Sequence, residues 1–288
     1  MTSVDVPEQV SSDYIPFADK AKHSPDAAFF KTAIGIDNDD ELKAHILSVQ
    51  EKAWKVAPWG CIYVFGFLRI SIVHRPEYQE IIKIGRERQN AILLDIGCCL
   101  ATESRRVAAD GFPAHNIVAS DLKQGYLDLS HVLFRTSKET YPGHFIAGDV
   151  FDPEMLTIAP PARGPVPEPL PDLSRLMTLN SLRGHCSVIN ASAFFSCFSE
   201  EQQLLRLLSP VPGSLITGIQ PGATVKGTRP HSCLGVGYDI FCHSPESWTE
   251  LWDGTVFAKG EVRVIARLKE ASFLGNVIQV LEWCVTRL

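Results

Sequence analysis

The stretch Ala91–Ala101, AILLDIGCCLA, decides the fold. Its apolar run leads into Asp95 and then Gly97, and a helical pattern follows over Thr102–Gly111. A short apolar run bounded by a turn is typical of a buried parallel strand. A strand that turns at a glycine into a helix is the first half of a nucleotide-type βα unit, whose helix N-terminus offers free N–H groups to a ligand. The stretch therefore predicts a small-molecule site at the end of a strand.

Downstream of this stretch, apolar runs and helical patterns alternate. We expect strands at 117–120, 144–147, 186–190 and 213–219, helices at 125–135, 173–182, 200–208 and 244–252, a loop over 224–237, and two long β runs at 261–271 and 276–287. Strand–helix alternation followed by paired β runs indicates an α/β fold. We predict a doubly wound, Rossmann-like, seven-stranded sheet with a C-terminal antiparallel β-hairpin.

Upstream, residues 1–88 predict an N-terminal helical lead-in and lid, and residues 89–288 form the main domain. Helices are expected at 26–33, at 41–56 with Asn38 or Asp39 as its cap, and at 76–85. The aromatic segment 61–70 predicts a helix with Tyr63, Phe67 and Ile70 on one face, either a core helix or a lid over a ligand pocket. The proline-rich stretch near 157–172 predicts an exposed loop insertion.

Composition narrows the function classes. The net charge is -6 and no basic stripe is present, so we expect no nucleic-acid partner. No apolar run is long enough to span a membrane, and the first residues lack a signal-peptide pattern. Eight cysteines without zinc-ligand spacing predict reduced thiols, a cytoplasmic location and no metal site. We expect a monomer or a homodimer, a choice that the sequence leaves open.

Acidic or amide side chains lie at four predicted strand ends, which should meet at one edge of the sheet: Asp95, Asp121, Asp149 and Asn190. A carboxylate at the second strand end can accept both hydroxyls of a ribose, and one at the third can accept from an adenine amino group. A pyrophosphate-binding GxGxxG needs further glycines after Gly97, and the chain has small residues there instead. This pattern favours a compact cationic ligand such as S-adenosylmethionine.

Several motifs resemble the class I S-adenosylmethionine-dependent methyltransferases, and most of all the fungal secondary-metabolite branch that includes the meroterpenoid carboxyl methyltransferases. They are LLDIGCC (93–99), NIVASDL (116–122), HFIAGDVFD (144–152), INASAFFSCFS (189–199), PGSLITGIQ (212–220) and HSPESWTELW (243–252). The chain departs from the family where Ala101–Thr102–Glu103 replaces a Gly–Gln–Asp run and where Asn190 replaces a common His.

The resemblance implies S-adenosylmethionine as cofactor. Its methionine part would lie among Asp95, Gly97 and Cys98, its ribose and adenine edge at Asp121 and Leu122, its adenine at Asp149 and Val150, and its sulfonium near Asn190 and Ala191.

Fewer residues point to the methyl acceptor. A carboxylate needs no base, whereas a hydroxyl benefits from one, and His231 and Gln220 are the candidates for such a role. Arg229 could pair with an acceptor carboxylate or be a solvated loop residue. Because Phe194 and Phe195 are adjacent, only one of them should line an apolar pocket with Tyr63 and Phe67, which favours a lipophilic acceptor. The alternatives are a non-catalytic methyltransferase-fold binding protein and a nicotinamide-dependent oxidoreductase.

Overall fold

The computed structural model describes residues 25–157, 161–162, 164, 166, 168–199, 207–233, 236–273 and 276–288, some of them by their backbone alone. The helices are α1 (Pro25–Ile34), α2 (Asp39–Val56), α3 (Gly60–Tyr63), α4 (Tyr78–Glu87), α5 (Thr102–Ala109), α6 (Gln124–Leu133) and α7 (Pro245–Trp252). The strands are β1 (Ile92–Ile96), β2 (Ile117–Asp121), β3 (His144–Ala147), β4 (Cys186–Asn190), β5 (Leu215–Pro221), β6 (Gly227–Cys233), β7 (Val236–Cys242), β8 (Val262–Phe273) and β9 (Asn276–Arg287).

Seven of these strands form one sheet in the order β3-β2-β1-β4-β5-β9-β8. Strands β1 to β5 pair in parallel, and β9 is antiparallel to both β5 and β8. This arrangement confirms the predicted seven-stranded α/β sheet with its C-terminal antiparallel hairpin. The strand order reverses between β1 and β4, and in sheets of this kind a ligand crevice opens at that point, beyond the carboxyl ends of the strands.

Each face of the sheet covers its own hydrophobic core, because side chains alternate along a strand. Leu93, Val188 and Leu215 belong to a core that α1, α2 and α4 cover, which we call the N-terminal core. Their neighbours Leu94, Ile189 and Ile216 belong to a core that contains residues of α7 and three buried tryptophans, which we call the tryptophan core.

The N-terminal helices follow their sequence signals with one exception. The Asn38 side chain caps α2 by accepting from the backbone N–H groups of Asp40 and Glu41, both at 3.0 Å. The expected helix over 61–70 is wrong: α3 ends at Tyr63, and a separate 3-10 turn covers Gly66–Leu68. Between them Phe65 has a left-handed backbone with φ of 54°, which reverses the chain and ends the helix.

Two further segments differ from expectation. The predicted helix over 173–182 consists of 3-10 turns at Leu173–Arg175 and Asn180–Leu182. The Asn180 side chain binds backbone groups of Pro153, Glu154 and Thr157, which fixes the segment across the preceding loop.

The predicted loop over 224–237 contains β6 and the start of β7, which pair with each other as a two-stranded sheet. Its glycines and Pro230 obscured the strand pattern, but a proline is tolerated in a strand that has a free edge.

The predicted helix over 200–208 falls mostly on 200–206, outside the described residues. Between 157 and 172, the described residues form neither helix nor strand. A search of the described helices found none with the length and apolar character needed to cross a bilayer.

Candidate functional site

The turn after β1 forms the floor of the crevice. Gly97 has φ of 69°, and Cys99 and Ala101 also have left-handed backbones, with φ of 52° and 54°. The backbone N–H groups of Gly97 and Cys98 donate to the Ser120 carbonyl at 2.8 and 3.1 Å, which ties the turn to β2. A Cβ at Gly97 would lie 2.7 Å from Cδ2 of Phe194. Glycine is therefore required at this position on two counts, the backbone angle and the aromatic ring packed on it.

Asp121 ends β2 directly beside this turn. Its Oδ2 accepts from the Cys99 N–H at 2.8 Å, and its Oδ1 accepts from the Lys123 N–H at 3.0 Å. Burial raises the pKa of the Asp121 carboxyl, although these backbone hydrogen bonds oppose the rise. Each oxygen retains a second lone pair for a ligand hydroxyl. Leu122, the next residue, exposes 51 % of its surface.

The end of β3 adds an open rim. Asp149 is exposed, and its Oδ1 accepts from the Phe151 N–H at 2.9 Å. Val150 is half-buried against the tryptophan core. The Phe151 ring packs edge-on against Phe198 with centroids 4.8 Å apart, so aromatic surface lies between the ends of β3 and β4.

A row of polar side chains crosses the ends of β1, β4 and β5 on the N-terminal-core face. Asp95 pairs in register with Asn190, and Asn190 pairs with Thr217. The Asn190 amide donates to Oδ1 of Asp95 at 2.8 Å, while the Ser104 hydroxyl donates to Oδ2 of Asp95 at 2.6 Å. All four side chains are buried. Two of the predicted cofactor residues are therefore in direct contact.

Glu103 and Arg75 complete this row, and the sequence analysis did not select either as a site residue. The Asn190 amide also donates to Oε2 of Glu103 at 2.7 Å. Arg75 donates from Nη1 to Oδ1 of Asn190 at 2.9 Å, and its Nη2 lies 3.6 Å from Oε2 of Glu103. Glu103 carried a signal, as part of the departure from the family pattern at 101–103. Arg75 carried none.

The pKa values of the two carboxyl groups in this row are shifted in opposite directions. Burial raises the pKa of Asp95 to about 7, and the nearby charge of Glu103 adds to the rise. Burial also acts on Glu103, but Arg75 and hydrogen bonds from Ser71, Asn190 and Ser192 outweigh it and lower the pKa of Glu103. A buried carboxyl next to a second one is a frequent feature of ligand-binding and active sites.

Cys98 lies half-buried in the turn, and its thiol is protonated. Burial, followed by the charges of Asp95 and Asp121, raises the pKa of its thiol well above the usual value. Among the described residues, no group of three or more His, Cys, Asp or Glu side chains could hold a metal ion.

The residues predicted for an acceptor pocket separate into two groups. Tyr63, Phe67 and Phe195 are buried, Phe67 in the N-terminal core and Phe195 in the tryptophan core. Ala191, predicted near the sulfonium, is likewise buried in the tryptophan core. Phe194 is half-buried and lies over Gly97 in the crevice. Of the two adjacent phenylalanines, Phe195 is thus a core residue and Phe194 is at the site.

The other predicted acceptor residues lie on β5 and β6. Gln220, near the carboxyl end of β5, is 2 % exposed, and neither atom of its amide group has a hydrogen-bond partner in the described structure. Arg229 is exposed and donates to the Val225 carbonyl at 2.9 Å. His231 lies on β6, in the part of the chain whose side chains are outside the description.

The chain is similar in sequence to known fungal methyltransferases. Residues 17–68 match the family model of the meroterpenoid methyltransferase N-terminal domain. O-methyltransferase phiE from Fungal sp. is 35 % identical over 72 % of this chain and 63 % of its own length. O-methyltransferase atr3 from Stereocaulon alpinum is 31 % identical over 84 % of this chain and 65 % of its own length.

A third relative is matched over more of its length. The Asnovolin E/Chermesin D methyltransferase nvfJ from Aspergillus novofumigatus is 31 % identical over 74 % of this chain and 69 % of its own length. The chain thus spans less than two thirds of the first two relatives and slightly more of the third.

Proposed function

The chain belongs to the fungal methyltransferase family that includes the Asnovolin E/Chermesin D methyltransferase, and from this membership we propose that it transfers a methyl group from S-adenosylmethionine to a lipophilic small molecule. The observation that carries the proposal is the position of Asp121. Backbone N–H groups of the Gly97–Ala101 turn and of Lys123 hold its carboxylate at the rim of the crevice. A carboxylate fixed there can receive the two hydroxyls of a ribose.

The residues present fit this cofactor. Gly97 lets the Phe194 ring pack directly on the turn, because a Cβ at this position would lie 2.7 Å from that ring. Leu122 and Phe151 present apolar surface for an adenine ring, and Asp149 is exposed beside them. Asp95 and Glu103, with Arg75 as their partner, supply the negative charge that suits the cationic methionine end. Gly97 and Cys98 would border the same end.

S-adenosylmethionine, when bound, supplies an activated methyl group together with its leaving group. The chain's own contribution is then alignment and the exclusion of water. Asn190 would lie near the transferred group, with Ala191 behind it in the tryptophan core, and Phe194 would close the crevice above Gly97. Asn190 cannot act as a base, because a carboxamide has no basic atom at neutral pH; its hydrogen bonds instead join Asp95, Glu103 and Arg75.

This chemistry favours a carboxylate acceptor, which is ionised at neutral pH and needs no base. We propose that Phe194 forms apolar pocket surface. Gln220, whose amide has no hydrogen-bond partner among the described residues, would offer it to a polar group of the acceptor. Arg229, whose guanidinium is exposed, could pair with the carboxylate. A hydroxyl acceptor is the second candidate, with Gln220 or His231 in the supporting role, and Tyr63, Phe67 and Phe195 would support the pocket from the core.

Isothermal titration with S-adenosylhomocysteine tests the cofactor. We expect binding to the wild-type protein, its loss in Asp121→Ala, and wild-type affinity in the matched control Asp128→Ala, an exposed acid on α6. Absence of binding to the wild type, or an unchanged affinity in Asp121→Ala, would overturn the assignment. Binding of a reduced nicotinamide cofactor instead would identify an oxidoreductase.

Mass spectrometry tests the acceptor. Lipophilic carboxylic acids and phenols are incubated with cofactor that carries a labelled methyl group. We expect labelled methyl esters, which mild alkali hydrolyses, whereas methyl ethers survive it. Ether products would assign the protein to hydroxyl acceptors. Cofactor binding without any labelled product across the panel would favour a non-catalytic binding protein.

A further inference from the structure

Arg75 is a buried guanidinium that reaches across the strand ends from the segment before α4. Its side chain is 1 % exposed. Nη1 donates to Asn190 at 2.9 Å and to the Thr217 hydroxyl at 3.3 Å. Nη2 donates to the hydroxyl of Ser71 at 2.8 Å and to that of Ser192. One side chain thus joins the N-terminal segment to the ends of β4 and β5.

These contacts fix which way the Asn190 amide points. A guanidinium has only donors, so the Asn190 oxygen must face Arg75. The amide nitrogen then faces Asp95 and Glu103, which can only accept when ionised. The reversed amide would place its oxygen against two carboxylates and its nitrogen against a cation. Arg75 therefore determines the orientation of the group that Asp95 and Glu103 share.

The same contacts set the charge of the site. With both acids ionised, two carboxylates and one guanidinium leave a buried net negative charge, which favours a cationic ligand. Arg75 keeps Glu103 ionised, since its charge is the strongest effect that opposes burial in lowering the pKa of Glu103. Asp95 accepts one hydrogen bond on each oxygen, and each oxygen keeps a second lone pair.

We propose that Arg75 is a positioning residue for cofactor binding, which orients Asn190 and holds Glu103 so that the ionised Asp95 can receive the cofactor's ammonium group. The proposal rests on the proposed function, because the ligand is the cofactor named there. Arg75 itself touches neither the cofactor nor the reacting atoms in this proposal. It acts through Asn190 and Glu103.

The pKa of Asp95 depends on the polar and charged groups that surround it. Glu103 and Ser104 face it from α5, Asn190 from β4 and Arg75 from the N-terminal segment. The Cys98 thiol and the Tyr141 hydroxyl also lie close enough to interact with its charge. Arg75 is the cation of this set, so its removal disfavours the ionised form of Asp95.

The test is the pH profile of S-adenosylhomocysteine affinity, measured by isothermal titration from about pH 6 to about pH 9. In the wild type, we expect the affinity to rise with pH, with a midpoint near the Asp95 pKa of about 7. In Arg75→Met, we expect the midpoint for ionisation of both acids to move upward, because the cation that stabilises the doubly ionised pair of Asp95 and Glu103 is lost. Arg75→Lys, which keeps the charge but not the planar fork, should restore the midpoint while the affinity stays weaker.

Arg88→Met is the matched control. Arg88 binds the Ser214 hydroxyl at 2.7 Å at the opposite, amino-terminal edge of the sheet, so its loss should leave the midpoint unchanged. If Arg75→Met does not fold, Glu103→Gln carries the test: removing this negative charge should move the midpoint downward. An unchanged midpoint in Arg75→Met, or in Glu103→Gln, would overturn the proposal.

A second readout separates this proposal from the proposed function. If the wild type binds no S-adenosylhomocysteine at any pH, the proposed function fails, and the melting temperature of the ligand-free protein then tests Arg75. The ligand-free wild type should lose stability as Asp95 ionises with rising pH. Without Arg75, this loss should continue to a higher pH. The same Tm profile in Arg75→Met and the wild type would contradict the role assigned to Arg75.

Discussion

At the carboxyl edge of the sheet, the two faces differ completely in chemistry, although consecutive residues of the same strand supply them. Asn190 and Thr217 face the buried Arg75, whereas Gly218, next to Thr217, faces the tryptophan core. A Cβ at Gly218 would lie 2.5 Å from the Trp283 ring. On β4 and β5, Asn190 and Thr217 place hydrogen-bonding side chains on one face, whereas Gly218 admits a tryptophan ring on the other.

The tryptophan core is built from interlocking rings. Trp248 lies 4.7 Å from Trp283 and 5.5 Å from Phe195 between ring centroids, and Trp252 stacks on Trp283 at 6.2 Å. All four side chains are buried. The polar face instead buries two carboxyl groups and a guanidinium. Their lost hydration costs more free energy than that of the three indole N–H groups that the ring face buries. Stability should therefore come from the ring face and ligand recognition from the polar face.

Among the substitutions proposed here, Trp283→Ala in the tryptophan core should have the largest effect on stability. We expect the free energy of unfolding, measured in urea, to fall by about 3–5 kcal/mol, as for other buried aromatic truncations. Trp59, which is 48 % exposed, is the matched control, and Trp59→Ala should change it by no more than about 0.5 kcal/mol. The folded fraction of Trp283→Ala should bind S-adenosylhomocysteine normally. Weak binding there would show that the two faces are coupled.

Asp95→Asn should show that the polar face costs stability at neutral pH. Burial raises the folded pKa of Asp95 to about 7, well above the ordinary value of an aspartate. Its contribution to stability is therefore present at low pH and is lost as the pH rises through about 7. We expect the ligand-free wild type to lose up to a few kcal/mol by this route, and Asp95→Asn to lose much less. Urea unfolding at several pH values checks this, with Asp128→Asn expected to follow the wild-type profile.

Gly97→Ala should lower both stability and cofactor affinity, because Phe194 packs on the turn at this position. The left-handed backbone should cost about 1–2 kcal/mol in unfolding free energy, and the clash with Phe194 adds to it. Gly35→Ala is an exact counterpart for the backbone effect, because Gly35 has φ of 72° and no atom within 4 Å of its Cβ position. Only Gly97→Ala should lose S-adenosylhomocysteine affinity. Equal losses of stability in the two variants would show that the Phe194 side chain moves aside at no cost in free energy.

Cys99→Gly should have the smallest effect and the opposite sign. Cys99 has φ of 52°, so glycine should relieve strain and raise the unfolding free energy by up to about 1 kcal/mol. Cys98→Gly, at a neighbouring position without a positive φ, should instead lower it by about 0.5–1 kcal/mol. Urea unfolding of both variants measures the difference. A loss of stability in Cys99→Gly would mean that the Cys99 side chain contributes more than its backbone costs.

The sequence predicted what depends on local pattern. The apolar runs of β1 and β4 placed Asp95 and Asn190 at the carboxyl ends of their strands, and the sheet brings the two side chains to 2.8 Å. It did not predict Arg75, because a guanidinium outside any periodic segment gives no sign that it will be buried against residues more than 100 positions away. The β6–β7 hairpin was missed for a related reason, since pairing with its own partner strand overrides an unfavourable composition.

The long reach of Arg75 also has a consequence for biosynthesis. Its partners Asn190 and Thr217 follow it by 115 and 142 residues. At typical synthesis rates of 5–20 residues per second, the segment that carries Arg75 waits about 7–28 s on the ribosome for Thr217. Contacts this distant in sequence form late and slowly. The polar row around Arg75 therefore cannot be complete until β5 has been synthesised.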